Sequence, residues 1–128
     1  MAGETPARIA AYFRLEDGGA RCELCPNMCL VLPDRAGRCR VRTYQEGKGL
    51  VTTSYGNVGA IALDPIEKKP LFHFYPGTTI LSLGSFGCNL RCRFCQNWHI
   101  SQTSRSADRM TPQAVVDLAK KYRSHRCI

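Results

Sequence analysis

Three cysteines in one short segment have a spacing that is typical of a metal-binding loop. Cys88, Cys92 and Cys95 follow the pattern C-x3-C-x2-C. A cubane iron–sulfur cluster usually takes four thiolate ligands, so three of them in one loop leave one iron able to bind something else. Chemistry occurs at an open coordination position, which separates catalytic from structural metal sites. The spacing therefore favours a catalytic metal site.

Two other interpretations of this segment stay open. The three cysteines also share one face of an α-helix, where they could simply pack into a core. Against a helix stand Gly84, Gly87 and Asn89, which favour a turn. A zinc ion is the second alternative, and it would need a fourth donor that His99 lies near enough in sequence to supply.

A second group of cysteines lies earlier in the chain. Cys22, Cys25, Cys29 and Cys39 follow the pattern C-x2-C-x3-C-x9-C. Four thiolates complete a closed shell, which suits either a zinc ion or a second [4Fe-4S] cluster, and nothing in the spacing separates the two. Paired thiols are the third alternative. Cys127 stands alone in the sequence, and we expect it to be buried or incidental.

Composition bounds the classes of protein to which this chain could belong. The start lacks the apolar stretch of a secretory signal, and no apolar run is long enough to span a bilayer. We therefore predict a cytoplasmic protein, in which thiols hold metal rather than form disulfides. The net charge is +8, and the segment from Cys88 onward has eight Lys or Arg against two Asp, a net charge of +6. This basic excess could offset an anionic cluster, contact nucleic acid or simply face solvent.

The elements that position these cysteines are predicted from local patterns. Pro65, Pro70 and Pro76 exclude a long helix or a central strand between them. The other expectations are a short helix within residues 1–16, a metal-organised knuckle over 21–42, a hairpin of 41–44 with 50–54, a strand over 58–63 and a connector over 64–77.

A strand, a loop and a helix are predicted around the second cysteine segment. The apolar run at 78–83 is typical of a buried strand in a parallel sheet. Thr111 is a good helix N-cap, with Pro112 at the first helical position. This order predicts the opening of a β/α unit and hence an α/β fold.

The cysteine loop resembles the signature loop of the radical S-adenosylmethionine (SAM) superfamily. The resemblance depends on C-x3-C-x2-C, on the aromatic Phe94 just before the last cysteine, and on the preceding strand. It implies that Cys88, Cys92 and Cys95 bind three irons of a [4Fe-4S] cluster, that SAM chelates the fourth, and that Phe94 lies near the SAM adenine. Reductive cleavage of SAM would then release methionine and a 5′-deoxyadenosyl radical, which abstracts hydrogen.

More of the chain resembles the AmmeMemoRadiSam-system radical SAM enzymes, relatives of pyruvate formate-lyase activating enzyme. These similar segments are CELCP at 22–26, GRC at 37–39, DPIEKKPL at 64–71, HF at 73–74, CQNW at 95–98 and IS at 100–101. The resemblance implies a cytoplasmic oxidoreductase whose partners are SAM, a reductant such as flavodoxin or ferredoxin, and a protein or small-molecule substrate that it does not identify. Its relatives suggest activation of a glycyl-radical enzyme. Neither a membrane nor nucleic acid is an expected partner.

The resemblance also predicts the domain organisation. Residues 1–75 would form a Cys-rich accessory region containing strands, and 76–128 the first β/α unit of a partial (β/α)6 barrel. We expect the chain to be the N-terminal part of a longer enzyme that binds a cluster weakly but does not complete catalysis alone. Two other classes stay open, namely a basic zinc-binding module that contacts nucleic acid and an iron–sulfur electron-transfer protein.

Overall fold

The computed structural model describes residues 8–105, 107 and 109–122. The strands are β1 (Arg8–Ile9), β2 (Phe13–Glu16), β3 (Gly19–Cys22), β4 (Leu30–Val31), β5 (Arg42–Gln45), β6 (Gly49–Thr52), β7 (Val58–Pro65) and β8 (Thr79–Ser85). The helices are α1 (Trp98–Ser101) and α2 (Pro112–Lys121), and a 3-10 turn covers Ile66–Lys68. The predicted end of the chain, including Cys127, lies outside the described residues.

Two three-stranded antiparallel sheets form the first half of the described chain. Their strand orders are β1-β6-β5 and β2-β3-β4. Residues from both sheets meet in one apolar core, because their side chains alternate between an inner and an outer face. The buried members are Ala10, Ala20, Cys22, Val31 and Leu50, with Phe13, Cys29 and Tyr44 packed against them.

The helix predicted within residues 1–16 is wrong over residues 8–16, which form β1 and β2. Strand β2 pairs with β3 through a two-residue loop at Asp17 and Gly18. Asp-Gly is a strong hairpin signal, and it outweighs the weak helical spacing before it. Tyr12 has a φ of 56° and Leu15 is exposed, so neither fits a helix with a buried face.

The predicted hairpin near residues 41–54 is confirmed. Strands β5 and β6 pair antiparallel, with Gln45 opposite Gly49. The turn places Gly47 and Gly49 at positive φ, which glycine adopts without steric cost. This hairpin brings Arg42 into the interior beside the early cysteines, since the guanidinium contacts Cys22 Sγ.

The strand predicted at 78–83 exists as β8, but it does not belong to a parallel sheet. It pairs antiparallel with β7 over a register that runs from Val58 opposite Ser85 to Pro65 opposite Thr79. Parallel neighbours need a crossover that is usually helical. The prolines of the connector allow only the 3-10 turn Ile66–Lys68 among the described elements, and the chain returns directly beside β7.

The predicted α/β fold is therefore wrong for the described residues. They form small antiparallel sheets with two short helices, and no (β/α) barrel is present among them. The helix predicted from Thr111 is confirmed as α2, with the Thr111 side chain accepting a hydrogen bond from the Ala114 backbone N–H. The predicted domain boundary after residue 75 stays a prediction. It falls between β7 and β8, which pair with each other.

Neither helix in the described part of the chain could cross a membrane. The longer one, α2, has ten residues, whereas a span of the hydrocarbon core takes about 20.

Candidate metal-binding site

The loop that follows β8 holds the three predicted cluster ligands. Cys88 lies three residues after the end of β8, and residues 88–95 form no helix or strand. The helix-face interpretation of the three cysteines is therefore wrong. All three thiols are free, with Cys92 exposed and Cys88 and Cys95 half-buried. Because the loop has no regular structure and its thiols are free, the three sulfurs are available to bind a ligand.

Polar groups surround two of the three sulfurs. The backbone N–H of Leu90 donates to Cys88 Sγ at 3.4 Å. Cys95 Sγ and Ser101 Oγ lie 3.3 Å apart. These contacts help to fix the positions of the two sulfurs within the loop.

Apolar side chains stand exposed around the same loop. Phe94, the predicted neighbour of the SAM adenine, is 87% exposed, and Leu90 and Trp98 are 57% and 65% exposed. Large apolar groups that contact little protein often mark a binding surface. Arg91 and Arg93 are also exposed, so the loop combines positive charge with apolar surface.

Turns and strand ends position the four early cysteines. Cys22 ends β3, and its backbone N–H donates to the Cys29 carbonyl at 2.8 Å. Cys25 and Met28 form a tight turn through a 3.1 Å bond from the Met28 N–H to the Cys25 carbonyl. Cys39 lies in a turn closed by a bond from the Arg40 N–H to the Gly37 carbonyl. The predicted knuckle is thus made of turns tied to β3, although β3 and β4 add regular structure to it.

One cavity of about 630 Å³ contains all four of these cysteines in its wall. Cys88 of the loop lines the same cavity, so the two cysteine groups adjoin. Five thiols therefore line one space. Its full lining is Cys22, Leu24, Cys25, Asn27, Cys29, Gly37, Arg38, Cys39, Val41, Arg42, Thr52, Ser54, Tyr55, Ser85, Phe86, Gly87, Cys88 and Asn89.

Four contacts hold the two cysteine segments together. Asn27 Nδ2 donates to the Asn89 carbonyl at 3.2 Å. Gly87 approaches the Cys39 backbone so closely that a Cβ built on it would lie 2.5 Å from the Cys39 carbonyl oxygen. Arg40 Nη1 donates to Gln102 Oε1 at 3.1 Å, and Gln102 Nε2 donates in turn to the Leu90 carbonyl at 3.1 Å.

Three residues, Asn27, Arg38 and Arg42, provide donor groups to the early sulfurs. The backbone N–H of Asn27 is the main cause that lowers the pKa of the Cys25 thiol, with the Asn27 side chain and the Arg42 charge adding to it. Arg42 Nη1 donates to Cys22 Sγ at 3.2 Å. The Arg38 N–H donates to Cys29 Sγ at 3.4 Å. Donor groups therefore lie against three of the four early sulfurs.

The thiols stand around the cavity wall and in the loop rather than at a common point. Among residues 8–105, 107 and 109–122, no three Cys, His, Asp or Glu side chains converge as a metal-ion shell. His99 is exposed, and it does not join the loop cysteines in such a group. The chemistry of the donor set still fits soft metals, because free thiols within one turn-rich segment can close on an ion by side-chain rotation.

Sequence reasoning missed the residues that join the two cysteine groups. The spacing marks Gly87 only as a turn former, and no local pattern points to Asn27, Arg40 or Gln102. Their contacts join residues between 12 and 62 positions apart, which local spacing does not reveal.

Comparison with known proteins gives one long similarity. The chain is 45% identical over 114 residues to an uncharacterized protein of Methanocaldococcus jannaschii. The matched segment covers 87% of this chain and 34% of that protein, so the chain spans about a third of this relative's length. No family model and no solved structure matches the chain.

Proposed function

We propose that this chain is part of a radical SAM enzyme and that the loop after β8 binds its [4Fe-4S] cluster. The observation that supports the proposal is the set of three free thiols at Cys88, Cys92 and Cys95 on a loop without regular structure. Three thiolates leave one iron for another ligand, which suits SAM. The proposal concerns the loop and its ligands, not a barrel.

The proposal gives specific roles to residues in and beside the loop. Cys88, Cys92 and Cys95 would hold the cluster, which would supply the electron for reductive cleavage of SAM. Phe94 is exposed and would contact the SAM adenine. Leu90 and Trp98 are large, exposed apolar side chains, and they would exclude water from the bound cluster. The Leu90 N–H and Ser101 Oγ contact the Cys88 and Cys95 sulfurs and help to position them.

Iron content after anaerobic reconstitution tests the proposal. The chain is incubated with ferrous iron and sulfide in the absence of oxygen, and bound iron and acid-labile sulfide are measured in Cys92→Ser and in wild type. Cys92 is exposed, so its replacement by serine removes a ligand without creating a cavity. We expect the variant to lose most of the loop cluster.

Arg93→Ala is the matched control, because Arg93 is exposed on the same loop and is not a ligand in the proposal. It should keep the wild-type iron content. Equal iron in wild type and Cys92→Ser would contradict the proposed site. If wild-type chain reconstituted with excess iron holds only zinc, the radical SAM function is also contradicted.

A further inference from the structure

A buried arginine beside the early cysteines indicates a negative charge there. Arg42 on β5 is 8% exposed, and its Nη1 donates to the Ala11 carbonyl at 2.9 Å and to Cys22 Sγ at 3.2 Å. Arg42 belongs to none of the ion pairs with a carboxylate in the described part of the chain. A buried cation needs a nearby anion, and the side-chain group that Arg42 contacts here is the Cys22 sulfur of the cavity wall.

The cavity itself has the donors of a closed soft-metal shell. Cys22, Cys25, Cys29 and Cys39 line it, and each of these thiols is free. Four neighbouring thiolates would repel one another unless a cation lay between them. A thiophilic metal supplies that cation and keeps the sulfurs deprotonated.

We propose that this cavity holds a metal centre with four thiolate ligands, Cys22, Cys25, Cys29 and Cys39. Zinc and an iron–sulfur cluster share this ligand chemistry, and the experiment below separates them. The Arg42 guanidinium is a positioning residue that neutralises part of the centre's negative charge. The cavity is larger than one ion, so the ligands close on it by side-chain rotation.

The centre also fixes the start of the cluster loop. Cys88 lines the same cavity, and Gly87 lies against the Cys39 carbonyl. The Asn27 side chain bonds to the Asn89 carbonyl. Metal at Cys25 and Cys39 would order both flanking turns and therefore hold residues 87–89 in place. This second part rests on the proposed function of the loop, whereas the centre itself does not.

Metal content of the anaerobically purified 128-residue chain tests the centre first. Cys25→Ser combined with Cys39→Ser is compared with Cys92→Ser combined with Cys95→Ser. We expect the first variant to lose zinc, or iron with sulfide, that the second retains. If only the loop variant loses metal, the centre is refuted and the proposed function stands. If only the early variant loses metal, the centre stands and the proposed function fails.

Co²⁺ titration of the metal-free Cys92→Ser/Cys95→Ser chain gives a spectroscopic readout of the ligand set. We expect thiolate charge-transfer bands and the d–d bands of a tetrahedral four-sulfur site, with a stoichiometry of one per chain in the Cys92→Ser/Cys95→Ser background. Arg42→Met should weaken Co²⁺ binding by about 10–100-fold, as losses of supporting contacts around metal ligands do. Arg93→Met, which changes an exposed arginine, should bind as wild type. Absent thiolate bands would overturn the centre.

Thiol alkylation resolved by mass spectrometry tests the effect on the loop. Chelation of metal from the Cys92→Ser/Cys95→Ser chain, which has no loop cluster, should expose Cys25, Cys29 and Cys39 to iodoacetamide together. Cys88 should then react several-fold faster than before chelation. An unchanged Cys88 rate with newly reactive early cysteines would refute the effect on the loop and leave the centre in place.

Discussion

The close approach of Gly87 to the Cys39 segment makes Gly87→Ala a sharp test of how the two cysteine groups meet. Gly87 has a φ of +85°, and a Cβ there would lie 2.5 Å from the Cys39 carbonyl oxygen and 2.6 Å from Val41 Cγ1. Left-handed backbone costs an L-residue about 1–2 kcal/mol. Forcing extra atoms into a packed contact costs about 1–3 kcal/mol more. We therefore expect Gly87→Ala to lower the free energy of unfolding by about 2–5 kcal/mol.

Gly77→Ala is the matched control for the backbone part of this cost. Gly77 has a φ of +78°, and its Cβ would meet no atom within 4 Å. Gly77→Ala should lower the free energy of unfolding by only about 1–2 kcal/mol. Urea unfolding followed by circular dichroism measures both variants, and the difference between them isolates the contact with Cys39 and Val41.

Equal losses in the two variants would refute the close approach. Gly87→Ala should also weaken cluster binding, because a displaced residue 87 moves Cys88 away from the shared cavity. Reconstituted Gly87→Ala should bind less iron than reconstituted Gly77→Ala. Wild-type iron content together with a stability loss in Gly87→Ala would show that the contact stabilises the fold without positioning the loop.

Two further predictions concern elements around the site. The Lys68 and Lys69 ammonium groups, 2.8 and 3.0 Å from the Asp64 carboxylate, hold the pKa of Asp64 well below its usual range. An aspartate in the unfolded chain has a pKa of about 4. Ionised Asp64 therefore stabilises the fold above that pH, and this stabilisation is lost as the pH falls below it. The urea midpoint of wild type should therefore fall more steeply below about pH 4 than that of Asp64→Asn, and parallel curves would contradict this. Thr111→Ala should cost about 1 kcal/mol, because it removes the acceptor of the 3.1 Å bond from the Ala114 N–H. Thr111→Ser should restore most of that stability in the same unfolding assay, and equal losses would exclude a capping role.

Local signals predicted the elements whose structure is decided locally. Helix α2 begins where Thr111 caps it and Pro112 fits its first turn. The β5–β6 hairpin forms around a glycine-containing turn. In both cases a few neighbouring residues determine the backbone conformation, so the sequence pattern was sufficient.

Long-range pairing decided the elements that were predicted wrongly. The apolar run of β8 was compatible with either strand direction, and its antiparallel partner β7 is fixed by the return of the Pro-rich connector. Residues 8–16 became strands because β6 and β3 pair with them. Neither partner is visible in the spacing of Ile9, Ala10 and Phe13.

For the candidate site too, local spacing predicted one part and long-range packing determined the rest. Spacing alone selected all seven described cysteines, and the structure adds that five of them line one cavity. The contacts that join the groups, from Asn27 to Asn89 and from Gly87 to Cys39, connect distant parts of the chain. Such contacts follow from the packing of the sheets rather than from any local motif.

The central claim is that Cys88, Cys92 and Cys95 hold a four-iron cluster with one iron left for SAM. Mössbauer spectroscopy of the reconstituted Cys25→Ser/Cys39→Ser chain, which keeps only the loop cluster, tests it with and without SAM. We expect one iron in four to have distinct parameters that shift when SAM is added. Four irons that remain unaffected by SAM, or a loop that takes up zinc in place of iron, would contradict the claim.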